Sequence, residues 1–312
     1  MEHGSSRAVV AALLANLGIA FAKFAAFLVT GASSMLAESV HSVADSGNQA
    51  LLLFGAKRSR RGPTDLHPFG YGRERYFWAF VVALVLFSLG AVFAIYEGID
   101  KLVHPHDLDD PLLAFIVLGI GIALEGFSFR TAIREATPRR RGRTWWRYIR
   151  TETSPELPVV LLEDFGALIG LALALTGVTL TAITGNAAFD ALGTISIGTL
   201  LGIIAVVLAI EMKSLLIGES ASPEERAAIR SAITADVEIR LIYARTQYLG
   251  PDSLLVVAKV DFGDRDIRAV TDAIDALEAR VRSVVPHARH IYIEPDRYIA
   301  PGSISRDDEA PR

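Results

Sequence analysis

Six apolar stretches, at about 8–29, 34–56, 76–100, 112–133, 156–181 and 188–213, are each long enough to cross the roughly 30 Å hydrocarbon layer of a bilayer. In lipid, every backbone N–H and C=O must be satisfied inside its own segment, which restricts such stretches to helices. The 312 residues are 51% hydrophobic and 21% charged, too little polar surface for a soluble domain of that length. The chain has no cysteine, which excludes disulfides, thiolate zinc sites and thiol catalysis. The N-terminus lacks the order of basic region, short apolar run and small-residue cleavage site, so its apolar run reads as a retained span.

Basic residues set the orientation. Lys57, Arg58, Arg60, Arg61, Arg73 and Arg75 lie between spans two and three. Arg134, Arg139, Arg140, Arg141, Arg143, Arg147 and Arg150 lie between spans four and five. The opposite side carries Lys101 among Asp107, Asp109 and Asp110. The positive-inside rule then places both basic loops and both termini in the cytoplasm, with a cell or inner membrane as the expected location. The run 139–150, with Trp145 and Trp146, reads as a topology anchor that also touches anionic lipid, and not as a nucleic-acid site.

Ionisable residues at bilayer depth are costly and mark transport pathways by default. Span two holds His41 and Asp45, four apart and hence on one helix face where both reach one ion. Span five holds Glu163 and Asp164, followed by the small-residue face Gly166 and Gly170 that admits a close helix neighbour. If that neighbour is span two, Asp164 faces His41 and Asp45. One imidazole and two carboxylates then suit a borderline divalent ion such as zinc, cobalt, iron or manganese. The competing reading is a buried hydrogen-bond network tying helices together. Glu163, about 100° around the helix from Asp164, has three open roles: support of the ligands, a fourth ligand, or a partner for Asn48. No nucleophile–base pair occurs in the spans, so an enzyme is not expected.

After span six the periodicity changes. Ser222-Pro223-Glu224-Glu225 carries an N-cap, a proline at the first helical position and a capping-box glutamate. Strands are expected at 239–248, 253–262 and 290–294. In the second, Leu254, Val256, Ala258, Val260 and Phe262 share a face. Ile267, Val270, Ile274, Leu277, Val281 and Val284 make an amphipathic helix between strands two and three. The order αββαβ suits a small three-stranded sheet with helices on one face, of ferredoxin-like type. The expected organisation is a six-span α-helical membrane domain over 1–217, a cytoplasmic α+β domain over 218–297 and a disordered tail over 298–312.

These residues resemble the cation diffusion facilitators. The likeness is carried by His-x-x-x-Asp in span two, the span-five aspartate, the block 33–53, His67-Pro68-Phe69-Gly70-Tyr71-Gly72-Arg73-Glu74 after it, and the αββαβ tail. The stretches 72–78 and Leu161-Leu162-Glu163-Asp164 are most similar to the zinc-transporter-9-like branch. The resemblance implies a homodimer in the lipid bilayer that exports a divalent metal, with zinc the expected ion, in exchange for protons. It implies no organic cofactor and no nucleic-acid partner. It makes His41, Asp45 and Asp164 the transport ligands, with Glu163 a further candidate. Metal and proton then compete for the His41 imidazole during alternating access. Val160 stands where most members have a His or Asp, leaving three evident ligands. Secondary metal positions of some members fall on Asp65 and His67, with Tyr71 at the second histidine's place, and on Glu294 and Asp296, where Lys259 stands opposite. Surface or structural roles are expected for those, for solvent-facing His287 and His290, and for His104 and His106 in an outer loop. Arg73 and Glu74 are expected either in interhelical salt bridges or as an ordinary surface pair. The alternative function is a membrane-bound metal sensor or scaffold with a structural polar network.

Overall fold

The computed structural model describes residues 33–104 and 111–299, together with residues 10, 13–14, 16–21, 24–25 and 28 near the N-terminus. Side chains at 33–42, 44, 45, 85–87, 89, 111 and 113 fall outside that description. Part of the expected first span, the His106 loop and residues 300–312 therefore lie outside the described residues. The chain divides into two compact units, with the boundary between Leu216 and Ile217.

The first unit is helical. Helix α1 runs over Ser33–Arg58 and ends on Lys57 and Arg58, cations that complement the negative end of its dipole. Helix α2 (Glu74–Val81), a π-helical segment (Val82–Phe87) and α3 (Ser88–Val103) follow one another without a break. Then come α4 (Pro111–Arg140), short α5 (Trp145–Thr151), α6 (Glu156–Thr184) and α7 (Ala188–Ile217). Among the described residues three helices are long and apolar enough to cross a membrane, namely Ala114–Arg140 of α4, α6 and α7. Phe93, Phe127, Ile183, Ile203, Val206 and Ile210 all point outward, an arrangement that suits a lipid surrounding and not water. Gly185, in the left-handed region at φ 70°, closes α6, and Asn186 Oδ1 accepts the Ala188 N–H at 3.0 Å to open α7.

The core of this unit joins Leu52 of α1, Tyr76 and Ala79 of α2, Val159 and Val160 of α6, and Leu208 and Met212 of α7. At its edge two ion pairs tie helices together. Glu74 accepts from Arg58 Nε of α1 at 3.0 Å and from Trp78 Nε1 at 2.8 Å, as expected of an interhelical bridge. Arg73 differs from expectation, since its Nε has no hydrogen-bond partner among the described residues. The cation that reaches another helix is Arg75, whose Nε lies 2.6 Å from Glu156 Oε1 at the start of α6, both side chains 4% exposed. A residue at the second position of α2 can turn inward, whereas Arg73 sits at its N-cap.

The second unit follows the αββαβ order. Helix α8 (Pro223–Ile233) begins in a complete capping box: Ser222 Oγ accepts the Glu225 N–H at 3.2 Å, and Glu225 Oε2 accepts the Ser222 N–H at 2.8 Å. Strands β1 (Arg240–Gly250), β2 (Ser253–Asp261) and β3 (Ala288–Pro295) form a sheet in the order β1-β2-β3. β1 and β2 pair antiparallel, with Thr246 opposite Val256. β2 and β3 pair parallel, with Val256 opposite Ile291, because α9 (Ile267–Val284) crosses between them. Leu254, Val256, Ala258, Val260 and Phe262 are all buried and pack with Ile229 and Ile233 of α8 and Leu277 and Val281 of α9. The ends of the expected helix stripe, Ile267 and Val284, are exposed. Tyr298 is held past β3, its N–H donating to Asp261 Oδ2 at 2.8 Å and its ring lying under the Arg240 guanidinium.

His287 is not simply solvent-facing. It is half-buried, stacks on Tyr248 at 5.9 Å and places Nε2 3.1 Å from Glu225 Oε1. Tyr248 Oη donates to Glu225 Oε2 at 2.8 Å. The His287 contact first, then bonds from Ser222 and Tyr248, hold the Glu225 carboxyl down at about 2.

Two outcomes are expected. Removing one partner of the Arg75–Glu156 pair strands a buried charge, so Arg75→Met costs about 3–5 kcal/mol. Arg75→Met with Glu156→Met costs less than either single change, read by thermal unfolding of the chain in detergent. For Glu225, a folded-state value below the unfolded one gives stability that is present above about pH 4.5 and lost as pH falls toward 2. Discounted for its solvent-facing edge, that contribution is about 2 kcal/mol at neutral pH. Glu225→Gln should therefore lower stability at pH 7 and approach wild type only as pH falls to about 2, followed by a fluorophore on a cysteine introduced into the second unit.

Candidate metal centre

Helix α6 brings two adjacent carboxylates into the interior of the first unit. Asp164 is 3% exposed and Glu163 is 8% exposed. Successive residues of an α-helix point about 100° apart, so the two carboxylates meet different neighbours. Glu163 Oε1 accepts from Asn48 Nδ2 at 3.0 Å and from Gln49 Nε2 at 3.1 Å, both on α1. Gln49 Oε1 in turn accepts from Asn16 Nδ2 at 3.4 Å. Of the roles open to Glu163, the structure shows the partnership with Asn48. It adds Gln49 and Asn16, which the count of ionisable residues passed over. Amide side chains in apolar helices need partners as much as carboxylates do, and that was the available signal.

Asp164 Oδ2 accepts from Ser128 Oγ of α4 at 2.8 Å. Asp164 thus meets α4 through Ser128, and Glu163 meets α1. The small-residue face also turns elsewhere than toward span two. A Cβ on Gly166 would lie 2.5 Å from Ile204 Cδ1, and one on Gly170 3.6 Å from Ile197 Cγ2, both on α7. A stripe of small residues states that a helix comes close without stating which helix.

His41 and Asp45 belong to α1, and their side chains lie outside the described residues. Their backbone places are fixed by α1 itself. Asp45 precedes Asn48 by three residues and His41 precedes it by seven, about one and two turns along the helix. The Asn48–Glu163 bond therefore holds the helix carrying His41 and Asp45 against the helix carrying Asp164. Val160, one turn before Asp164, is 1% exposed and packed in the apolar core. Among the described residues no group of three or more His, Asp and Glu is placed to hold a metal.

The remaining candidates are placed outside this interior. His67 lies in the exposed loop before α2, edge-on to Tyr71 at 4.6 Å, with its N–H bonded to Thr64 Oγ1. Asp65 is exposed in the same loop. Lys259 Nζ lies 2.6 Å from Asp296 Oδ2 and 3.4 Å from Glu294 Oε1, so an ammonium occupies the place between these carboxylates. The Lys259 bond holds the Asp296 carboxyl below the usual carboxylate range, and Asp296 raises the Lys259 ammonium in return. His104 is exposed and contacts Asp100 at 3.1 Å.

A family model of the cation efflux transmembrane domain matches residues 9–217. The chain is 33% identical over 265 residues to the mitochondrial proton-coupled zinc antiporter SLC30A9 of Mus musculus, covering 84% of this chain and 47% of that protein. It is 29% identical over 337 residues to metal tolerance protein C4 of Arabidopsis thaliana, covering 94% of this chain and 74% of that protein. The zinc transporter ZitB of Pectobacterium atrosepticum matches at 28% identity over 120 residues, 38% of this chain and 37% of that protein. The chain spans about half the length of the antiporter relatives it matches. With the family model covering two-thirds of its length and the span-two and span-five motifs in place, the chain belongs to the cation diffusion facilitator family, in its zinc-transporter-9-like branch.

Proposed function

We propose that this protein carries a divalent transition metal, zinc first among the candidates, out of the compartment faced by its basic loops, in exchange for protons. The observation that carries the reading is the buried Asp164 on an apolar helix, bonded by Ser128 and held beside the helix of His41 and Asp45 through Glu163. His41, Asp45 and Asp164 are the metal ligands in this reading. Glu163 is a structural acceptor, and Glu294 and Asp296 hold Lys259 in place of a metal. The relatives named as a zinc antiporter and a metal tolerance protein support the cargo and the proton coupling.

A neutral imidazole is required for ligation, so metal entering from the basic side displaces a proton from His41. A proton arriving from the other side competes for the same nitrogen and releases the ion. The reading includes six spans, a ferredoxin-like second unit, a homodimer, and both termini on the cytoplasmic side. The protein needs no organic cofactor and performs no bond chemistry on its cargo. The SLC30A9 relatives are named as mitochondrial, so the inner membrane of an organelle and a cell membrane are both consistent with the charge pattern.

Proteoliposomes test the assignment. Asp164→Asn and Asp45→Ala should abolish zinc-driven proton flux while the protein level is maintained; undiminished flux would remove those residues from the site. If the level itself falls with flux, the scaffold reading gains. Ser128→Ala, which takes away the bond that orients Asp164, should weaken zinc binding by about 10- to 100-fold in calorimetry. Glu163→Gln keeps an acceptor for Asn48 and Gln49 and should retain most of the flux, whereas a ligand would not tolerate that change.

A further inference from the structure

We propose that the turn joining α4 to α5 binds the headgroup of an anionic phospholipid. This rests on the membrane reading above and is independent of which metal is carried. The chain reverses there through two residues in the left-handed region, Arg141 at φ 49° and Gly142 at φ 78°. Thr144 Oγ1 accepts the Arg147 N–H at 3.2 Å to start α5. The short helix buries Tyr148 and leaves Trp145 and Trp146 36% and 54% exposed.

The arginines of this turn divide into two sets. Arg143 folds inward, donating to the Arg139 and Arg140 carbonyls at 2.9 and 3.1 Å, and lies 3.6 Å from Glu152. Arg150 is paired with Glu211 at 3.0 Å. Arg140 lies over the Trp145 ring at 4.7 Å, which stiffens the turn and holds that ring. Arg134 and Arg141, by contrast, are exposed and form no ion pair among the described residues. They flank the last turns of α4, on the side where that helix leaves its apolar stretch.

Two exposed guanidinium groups with no ion pair among the described residues, on the segment that carries two outward tryptophans, fit one partner chemistry. A phosphodiester bearing net negative charge satisfies the arginines, which recognise phosphate through paired N–H donors. The indoles favour the headgroup layer of a bilayer, where an apolar body and a polar N–H are both accommodated. A soluble anion would satisfy the arginines and leave the indoles uncovered, so the lipid is the better occupant. Each arginine near an anionic surface contributes about 1 kcal/mol, so the pair is worth about a 30-fold preference for anionic over zwitterionic lipid.

Tryptophan quenching in metal-free proteoliposomes tests this. The full chain is reconstituted with brominated phosphatidylglycerol or brominated phosphatidylcholine at equal mole fraction. Trp145→Phe with Trp146→Phe supplies the Trp78 background, since the chain has three tryptophans. Wild type should show about 30-fold stronger relative association with phosphatidylglycerol. Arg134→Gln with Arg141→Gln should bring the ratio near one, and lysine at both positions should restore most of it. Equal quenching by the two lipids in wild type would overturn the proposal, as would an unchanged ratio in the glutamine variant. Loss of the preference on adding inorganic phosphate at constant ionic strength would assign the arginines to a soluble anion and overturn it too. None of these readings depends on metal transport, so a failure here and a failure of the transport assignment are distinguishable.

Discussion

The first unit depends on a carboxylate buried where it cannot be left alone. Glu163, 8% exposed in an apolar helix, would cost several kcal/mol without donors. Two amide N–H groups from consecutive residues of α1 converge on one of its oxygens. Because those donors sit on α1 and the acceptor on α6, the bonds set the register between the two helices, and Asn16 extends the network to the N-terminal segment. Apolar packing alone would let such helices slide, since lipid and leucine are equally greasy. A polar clamp has one register, so the backbone places of His41, Asp45 and Asp164 are set by groups that need not bind metal themselves.

How much of this was legible in the sequence differs between the two units. In the second, water is the solvent and burial follows period. Leu254, Val256, Ala258 and Val260 alternate in the sequence and are all fully buried, and the serine, proline and glutamate of the capping box open α8 as their chemistry requires. The lysine facing Glu294 and Asp296 was equally readable, because a cation opposite two carboxylates in neighbouring strands has one electrostatic outcome. In the first unit the long helices α4, α6 and α7 are apolar on most sides, so period does not tell which face meets which neighbour. The glycines of α6 pointed to a close approach, and the helix that comes close is α7.

Ser128 was illegible for a related reason. A hydroxyl in an apolar helix ordinarily bonds the carbonyl four residues back, as Thr131, Thr176, Thr179, Ser196 and Thr199 all do here. Such a residue says nothing about its neighbours. Ser128 departs from that pattern and donates to Asp164 of another helix, and only the packing of α4 on α6 reveals it.

Placing two carboxylates side by side on α6 separates two demands that one residue meets poorly. A ligand must release its ion, so its oxygens cannot be saturated by fixed donors. A clamp must stay bonded through the cycle, so its oxygens must be. Glu163 receives two amide donors on one oxygen, and Asp164 accepts from the Ser128 hydroxyl, which orients it. Val160, one turn before Asp164, is packed in the apolar core and offers no donor atom there. In the transport reading proposed above, a shell that takes no fourth ligand from α6 would be less rigidly tetrahedral, and ions that tolerate water or irregular geometry would be penalised less relative to zinc. In that reading, selectivity would depend on what Val160 omits as much as on what Asp164 supplies. Val160→Asp, which restores a carboxylate one turn before Asp164, should raise the preference for zinc over manganese in competitive binding.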